Sequence, residues 1–564
     1  MVKKNLILSQ SYLMCFFALF SLLFITQSIA DPLPQGAPDS LQRVIVAQDT
    51  IRIIAEDAPG FGNQTASFNI VHWLWEQKKY AGNIQFIYDD APETKEKIIT
   101  LFNLPTSIED DYSTSISGHN IRFIKKTQFI TLYKTQQIQR TVLAIDGGID
   151  EDVCASRSDK DNNTFTAPTS LECQNAANFY NTELFVQISP YPVTADESEH
   201  RLSKVYLRDQ DDAHLIKTIN NSYTPVSIVD IADAKKLVEN DPALLNKLPA
   251  LSYFIDGIMN KDFNIMPIYG RGIIQNDDYG NILQIITAAR YVQQNSQDDK
   301  PLILAIFNDY DKEIKIINNI INNNDWPVRI TYPDENQEYL LTLATGQINA
   351  TTAIQQLGLT NSNIFSIANL NQPETINLFK QIHEKKLSPS KKIILLSVGS
   401  LPKTIFDAIY THTDDNVWPQ VREGANSFYS LITTGKAHFR CSGVIESSGE
   451  KEWEIGYDLI TDPELKKRLS AFYGAEDSYS LNSNQFCNGL ITWKNRDHVY
   501  KEFGDLILDA ANPNSSLSQY FHLLKTEASK PENDRIARAL EFSLNLLNEN
   551  NKAKMIQTKS TKNI

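Results

Sequence analysis

Long apolar runs are absent from this chain after its first thirty residues, and cysteine and histidine are scarce throughout. Because no later charge-free stretch reaches the ~18 residues of a spanning helix, we predict no stable membrane insertion of the remaining chain. The beginning differs, since Lys3 and Lys4 precede an apolar run over residues 12–25, and residues 28–30 (Ser-Ile-Ala) supply the small side chains of a cleavage site. We therefore predict a cleaved signal peptide over residues 1–30 and a secreted or periplasmic protein. The alternative is a retained membrane anchor, for which the apolar run is too short.

The cysteines that remain after cleavage are even in number and include no C-x-x-C pair, and no histidine stands at a matching interval. This spacing argues against zinc, and we predict no metal site. An even count in an exported chain predicts two disulfides instead. Sequence proximity favours Cys154 with Cys173 and Cys441 with Cys487, and four buried thiols remain the alternative.

Basic residues are fewer than acidic ones: 53 Lys and Arg against 68 Asp and Glu give a formal net charge of −15. This overall balance repels phosphate backbones and anionic surfaces, so we predict that the protein binds no nucleic acid. The sequence also contains no G-x-S-x-G elbow, HExxH pair, Walker loop or EF-hand loop. The enzyme classes that those motifs mark are therefore not indicated.

The first organised segment begins at Ile51, where a strand (IRIIAE) leads through a glycine-containing loop into a helix (TASFNIVHWLWEQKKY) and a second strand (NIQFIYDD). This order is typical of a βαβ unit. The runs RFIKKTQFITLY, TVLAID and ELFVQIS predict further strands. A second alternation of helices and strands starts near Asn281 and includes PLILAIFND and KKIILLSVGS, which predicts another parallel sheet.

A length of 564 residues with 42% hydrophobic content favours two domains. We predict the α/β fold class, with two Rossmann-like parallel-sheet lobes that face a cleft. The N-terminal lobe takes residues 45–275, and the C-terminal lobe takes residues 276–545 and includes a terminal helix. Residues 552–564 are predicted to form a disordered tail.

Loops that follow strands are the expected ligand sites in open parallel sheets. The loop after the first strand contains Gly60 and Gly62, which permit close approach of a ligand, followed by Asn63 and Gln64 at the start of a helix. Asp57 stands at the end of that strand and is the candidate general base. The alternative is a tight turn in which Asn63 or Thr65 caps the helix.

Two loops of the second lobe have the same character. Gly399 and Ser400 follow a strongly apolar strand and precede a helix. Further on, Glu423 and Gly424 precede the helix ANSFYSLITT, where backbone N–H groups and a serine hydroxyl suit a phosphate and a carboxylate suits sugar hydroxyls. An ordinary turn and a capped helix are the respective alternatives.

Arg271 lies between two glycines, in the sequence Tyr-Gly-Arg-Gly, where one lobe is expected to give way to the other. Glycines permit hinge motion, and a guanidinium suits a phosphate in the cleft. A surface turn is the alternative interpretation.

Two Rossmann-like lobes, a glycine-containing loop after the first strand, and an E-G-x-N-S helix start followed by G-K resemble glycosyltransferases of the GT-B architecture. The resemblance implies a small-molecule sugar donor on the C-terminal lobe, an acceptor on the N-terminal lobe, and neither metal nor other cofactor. The residues it implies are Glu423, Gly424, Asn426, Ser427, Gly399, Ser400 and Arg271 toward the donor, Gly60, Gly62, Asn63 and Gln64 toward the acceptor, and Asp57 as the base.

Export restricts the donor, because nucleotide sugars are cytosolic in bacteria. An exported transferase must therefore use a lipid-linked donor, act in another cell, or work in a eukaryotic secretory lumen. The predicted donor is an activated sugar, linked to a nucleotide phosphate or a lipid phosphate, and the acceptor is open. Two other functions remain: a periplasmic solute-binding protein, which also has two α/β lobes, and a catalytically inactive GT-B-like secreted factor. The number of times that the chain crosses between lobes distinguishes the first of these from a transferase.

Overall fold

The computed structural model describes the chain in separate ranges, which are 40–56, 62–105, 107–148, 156–157, 165–166, 175–189, 203–210, 212–216, 223–226, 228–274, 279–327, 337–422, 425–440, 462–467 and 490–561. The predicted signal peptide lies outside these ranges. So do Cys154, Cys173, Cys441 and Cys487, and the two disulfides therefore stay predictions.

The N-terminal half of the described chain forms an eight-stranded sheet in the order β10-β9-β8-β5-β1-β2-β4-β3. Its strands are β1 (Ile51–Ala55), β2 (Ile84–Tyr88), β3 (Asp111–Ile116), β4 (His119–Lys125), β5 (Thr141–Asp146), β8 (Thr182–Gln187), β9 (Lys204–Leu207) and β10 (His214–Leu215). A separate two-stranded ribbon pairs β6 (Ser156–Arg157) with β7 (Phe165–Thr166).

This first sheet is mixed, which corrects the prediction of a purely parallel one. The five strands from β8 to β4 in the sheet order run parallel, whereas β3, β9 and β10 pair antiparallel at the two edges. The parallel centre follows from burial, because every residue of β1 is buried and such strands need helices on both faces. The edge strand β3 joins its neighbour β4 through Ser117 and Gly118, a turn too short for a parallel crossover.

The prediction that RFIKKTQFITLY forms one strand is wrong in its second half. The strand β4 ends at Lys125, and a helix runs over Lys126–Lys134. Phe129 and Leu132 of this helix are buried three residues apart, the spacing of a helical stripe. The apolar run therefore contains a strand and the helix that follows it.

The second sheet has six strands in the order β13-β14-β12-β11-β15-β16, and all its pairings are parallel, as predicted. The strands are β11 (Asn264–Ile268), β12 (Leu302–Phe307), β13 (Phe365–Asn369), β14 (Ile393–Gly399), β15 (Gln420–Arg422) and β16 (His438–Arg440). Alternate residues of β12 belong to different apolar clusters, so helices cover both faces of this sheet.

Helices connect and cover the strands. In chain order they are α1 (Ser40–Ala47), α2 (Gly62–His72, continued by a π-helix over Trp73–Gln77), α3 (Pro92–Phe102), α4 (Lys126–Lys134), α5 (Ala176–Phe179), α6 (Ile231–Glu239), α7 (Pro242–Lys247), α8 (Leu251–Met259), α9 (Arg271–Ile274), α10 (Gly280–Asn295), α11 (Asp311–Asn323), α12 (Gln337–Gln356), α13 (Glu374–His383), α14 (Lys403–Tyr410), α15 (Ala425–Thr434), α16 (Leu490–Asn495), α17 (Val499–Ala511), α18 (Ser516–Ala528) and α19 (Arg535–Thr561).

The chain enters the second sheet earlier than residue 276. The strand β11 pairs with β12 and β15, and the helices α6 to α8 share an apolar cluster with it. In the sequence, only residues 260–263 separate α8 from β11, so no long linker marks the transition. The terminal helix α19 belongs with the first sheet, because Ile536, Leu540 and Leu544 share a cluster with Ile53 of β1.

Helix α19 continues to Thr561 and so includes most of the segment for which the sequence predicts a disordered tail. Neither proline nor glycine follows Pro531, so the sequence contains no residue that would end the helix. Among the helices in the described ranges, none has the length and apolar composition that crossing a bilayer requires.

Candidate functional site

The chain reverses its direction of travel across the first sheet between β1 and β5. From β1 it proceeds to β2 and β4 on one side, and it then passes to β5 and β8 on the other. Ligands of open α/β sheets bind outside the carboxyl ends of the strands at such a reversal. Two loops follow the strands at this reversal. The first, residues 57–61 after β1, includes Asp57 and Gly60 and lies outside the described ranges. The second is Gly147-Gly148, after β5.

The start of α2 lies against the loop that follows β5. The Gly147 N–H donates to Ser67 Oγ at 3.2 Å, and this hydroxyl donates to the Ile54 carbonyl of β1 at 2.5 Å. A Cβ on Gly147 would lie 2.6 Å from the Ser67 nitrogen, and one on Gly148 would lie 3.0 Å from the Asn63 amide. The two glycines therefore let the loop and the helix start approach each other at the point where a ligand is expected.

The described residues of the predicted acceptor-side loop, Gly62, Asn63 and Gln64, differ in burial. Gly62 is exposed, and a Cβ there would meet nothing within 4 Å, so its position does not require glycine for close approach. Asn63 and Gln64 are buried, and Gln64 Nε2 donates to the Glu56 carbonyl at 2.7 Å. Gln64 thus closes the base of the loop between β1 and α2.

Glu56 is held in a buried ionic network that the sequence analysis does not predict. Its carboxylate accepts from Lys126 Nζ at 3.1 and 3.0 Å and from the Tyr180 hydroxyl at 2.8 Å. The side chains of Glu56 and Lys126 are 3% and 2% exposed. The network joins the ends of β1, β4 and α5, and it fixes the residue directly before Asp57.

Burial raises the pKa of the Glu56 carboxyl well above its ordinary value, while the charge of Lys126 lowers it and those of Asp89 and Asp146 raise it. Burial also raises the pKa of the Tyr180 hydroxyl, and the neighbouring Glu56 adds to this effect. A buried charge with one ionic partner and one hydroxyl donor is a structural anchor whose stability depends on all three members.

The order of strands in the second sheet reverses between β11 and β15, the strands that precede two of the sequence-predicted segments. The Tyr269 N–H donates to the Val421 carbonyl at 3.0 Å, which sets the loop after β11 beside the end of β15. Arg271 begins α9 directly after this loop, between β11 and β12 of the second sheet in chain order. Residues 423–424 follow β15, and α15 begins at Ala425. Residues 423–424 and the side chains of Arg271 and Asn426 lie outside the described part of the structure.

Arg422 is the last residue of β15 and carries a positive charge at the carboxyl end of this strand. It is 1% exposed, and its guanidinium carbon lies 4.5 Å from the centroid of the Phe428 ring of α15. Ser427, in the first turn of α15, is also buried. Burial and then the charge of Arg422 lower the pKa of His438 on β16 well below its ordinary value, which keeps that imidazole neutral. A guanidinium and a helix N-terminus together favour an anion.

The predicted loop at Gly399 and Ser400 lies elsewhere on the same edge. In the sheet order, β14 is separated from β15 by β12 and β11, about 14 Å at the usual strand spacing. Ser400 Oγ donates to Asp309 Oδ2 at 3.2 Å, and the Gly399 carbonyl accepts from the Asn308 N–H at 3.1 Å. The structure therefore places the end of β11, which leads into Arg271, beside the end of β15, whereas Gly399 and Ser400 lie near a carboxylate at a different strand.

The two sheets are connected through described contacts between their helices. Lys403 and Asp407 of α14 form a buried ion pair, and the Lys403 Nζ lies 5.8 Å from the centroid of the Phe68 ring of α2. Burial raises the pKa of Asp407, while Lys403 lowers it. Helix α2 therefore contacts α14, the helix that follows β14, through the Phe68 ring.

Two chain segments that pass between the sheets pair with each other. Tyr223 on the outgoing segment forms a parallel bridge with Asp534 on the returning one. Asp534 Oδ2 accepts from the Trp73 indole N–H at 2.9 Å, and Arg535 donates to the Ser189 carbonyl at 3.0 Å and lies over the Tyr429 ring. In the described residues the return adds a helix to the first sheet and no strand.

Within the described ranges, no group of three or more His, Cys, Asp or Glu side chains is placed to hold a metal ion. Comparison with known proteins adds no identification, since no protein-family model matches the chain and no curated protein matches it.

Proposed function

We propose that this chain is a glycosyltransferase of GT-B type, which transfers a sugar from a nucleotide-phosphate or lipid-phosphate donor to an acceptor without a metal ion. The observation that supports the proposal is that β11 and β15, the strands that lead into Arg271 and into residues 423–427, lie side by side. The Tyr269 N–H donates to the Val421 carbonyl at the strand reversal of the second sheet. Reversal points are where α/β sheets bind ligands.

On the donor side, the positive groups are suited to a leaving phosphate. The N-terminus of α15, with Ser427 in its first turn, offers backbone N–H groups, and Arg422 and Arg271 add charge at the ends of the two adjacent strands. Glu423 accepts two hydroxyls of the transferred sugar. Negative charge that develops on the departing phosphate is stabilised by dipoles and guanidinium groups that are already in place.

On the acceptor side, Asp57 takes the proton of the attacking hydroxyl. It directly follows Glu56, whose buried ionic network fixes the end of β1. In the sequence, residues 57–61 connect this anchor to the start of α2, and that helix start contacts Gly147 and Gly148. A base needs a fixed position relative to the proton that it removes, and the anchor supplies it.

The path of the chain favours a transferase over a solute-binding protein. Solute-binding lobes commonly exchange strands as the chain crosses back and forth. Here the described chain completes the strands of the first sheet before it enters the second, and the returning segment brings only α19.

Glu423→Ala is the variant that tests the donor site. We expect the dissociation constant of the best-bound donor to rise roughly 100-fold, because two charge-assisted hydrogen bonds together contribute about 3 kcal/mol. Thermal shift with panels of nucleotide sugars and polyprenyl-phosphate sugars selects the donor, and calorimetric titration measures the loss.

The matched control is Glu374→Ala, since Glu374 is an exposed first-turn glutamate of α13, which follows β13 of the same sheet. Its removal should leave donor affinity unchanged. The proposal fails if no activated sugar binds, or if both variants lose affinity equally. Stabilisation by free sugars or amino acids, with none by any activated sugar, would assign the protein to the solute-binding class instead.

A further inference from the structure

The last three turns of α19 have a composition unlike that of the rest of the chain. Residues 551–564 contain four lysines and no acidic residue. Since the formal net charge of the whole chain is −15, the remaining residues carry −19. Positive charge is thus concentrated at one end of an otherwise strongly acidic protein.

This part of the helix extends beyond the body of the protein. The buried apolar positions of α19 end at Leu547, and Asn550 accepts a hydrogen bond from Gln210 at 3.0 Å. After that contact, residues 551–558 are all exposed. The helix therefore presents its final turns away from the first sheet that its earlier turns cover.

One side of these turns combines apolar and basic residues. Met555 and Ile556 are 47% and 68% exposed, although both are apolar. Lys552 lies three and four residues before them, and Lys559 occupies the position two turns after Lys552. Exposed apolar side chains flanked by lysines on one helix face are typical of helices that lie in a membrane interface.

We propose that residues 551–561 dock this protein reversibly on an anionic lipid surface. The lysines bind the lipid phosphates, and Met555 and Ile556 enter the boundary between headgroups and acyl chains. The acidic body is repelled by the same surface, so contact is made through the helix end alone. An acidic protein partner would be matched by the lysines but leaves no role for two exposed apolar side chains, and a lipid surface accounts for both. This inference does not depend on the sugar-transfer proposal.

Co-sedimentation of the full chain with vesicles tests the docking. We expect binding to phosphatidylcholine vesicles that contain phosphatidylglycerol, little binding to pure phosphatidylcholine, and loss of binding at high salt. Each lysine near an anionic surface contributes roughly fivefold in partitioning, so Lys552→Glu with Lys559→Glu, both on the helix face that contains Met555 and Ile556, should weaken binding by roughly 25-fold or more. Met555→Ser with Ile556→Ser should weaken it by roughly tenfold.

The matched control is Lys312→Glu with Lys315→Glu, because both lysines are exposed on α11 and the change in net charge is the same. It should bind vesicles as the unaltered chain does. Equal loss in the control, or no sedimentation with anionic vesicles at low salt, would overturn the inference. Binding to immobilised polyglutamate without binding to vesicles would likewise overturn it, in favour of an acidic protein partner. Donor affinity, measured in solution, is expected to be the same in all these variants.

Discussion

Lys126→Met should lower the free energy of unfolding by about 3–5 kcal/mol at neutral pH, the usual result of removing one partner of a buried ion pair. Lys126 Nζ lies 3.1 and 3.0 Å from the Glu56 carboxylate oxygens, and both side chains are almost fully buried. Methionine keeps the volume but leaves the Glu56 carboxylate with only the Tyr180 hydroxyl among the donors of this network. Urea denaturation followed by circular dichroism measures the change.

The deficit of this variant should grow as the pH rises. Burial already raises the pKa of Glu56, and Lys126 is the charge that opposes this shift. Without Lys126 the pKa of Glu56 in the folded state rises further above its unfolded value. An acid of this kind retains a proton in the folded state that the unfolded state has released, so stability falls as the pH rises through that interval. Denaturation at about pH 5 and about pH 8 should show the smaller deficit at the lower pH.

A double variant and a surface control separate the ionic effect from loss of packing. Glu56→Gln combined with Lys126→Met removes both charges, so much of the lost stability should return, and the added dependence on pH should disappear. Lys312→Met, at an exposed position of α11, should change stability little. A deficit for Lys126→Met that stays constant with pH, and that the second substitution does not reduce, would contradict the role assigned to this pair.

Much of the parallel framework could be predicted because buried strands are almost uniformly apolar. The runs IRIIA, LILAIF and IILLSVG become β1, β12 and β14, and each is buried along its full length. The mixed character of the first sheet was missed because an edge strand such as β3 (DYSTSI) has few apolar residues, and sequence alone does not reveal its direction.

The candidate site could be predicted only in part, because sequence patterns report neighbouring residues and not contacts between residues far apart in the chain. The loops near Arg271 and Glu423 were recognisable because glycine and charge follow apolar strands, and the structure places those two strands, β11 and β15, side by side. Lys126 was missed because its helix was interpreted as the continuation of β4. The pairing of Glu56 with Lys126 and Tyr180 joins residues that are 70 and 124 positions apart, and no local pattern indicates such contacts.

Gly147 was also missed, although the sequence contains a pattern that could have identified it. Two consecutive glycines follow the strand TVLAID, at the end of β5. The sequence predicts no order of strands, so it does not reveal that β5 lies next to β1, on which the significance of these glycines depends. With β5 beside β1, Gly147 and Gly148 contact the start of α2 next to the strand that leads into Asp57.

Gly147→Ala should therefore have a large effect on both stability and transfer activity. The added Cβ would lie 2.6 Å from the Ser67 nitrogen and 2.7 Å from the Ala66 carbonyl carbon, and backbone atoms cannot move aside as a flexible side chain can. We expect a loss of about 3 kcal/mol in the free energy of unfolding. The start of α2 must shift outward, and a displacement of about 1 Å in a catalytic group can reduce the rate roughly 100-fold.

Gly62→Ala is the control that makes this result specific to the contact between the helix and the loop. It adds the same methyl group to the first turn of the same helix, but no atom lies within 4 Å of the new Cβ, and alanine favours helix more than glycine does. Stability should be unchanged or higher by about 0.5 kcal/mol, with donor affinity and transfer unaffected. If Gly62→Ala abolished transfer and Gly147→Ala did not, the ligand would have to approach the exposed outer side of the helix start. The contact between β5 and the start of α2 would then be packing alone, and the proposal that Asp57 is the base would be contradicted.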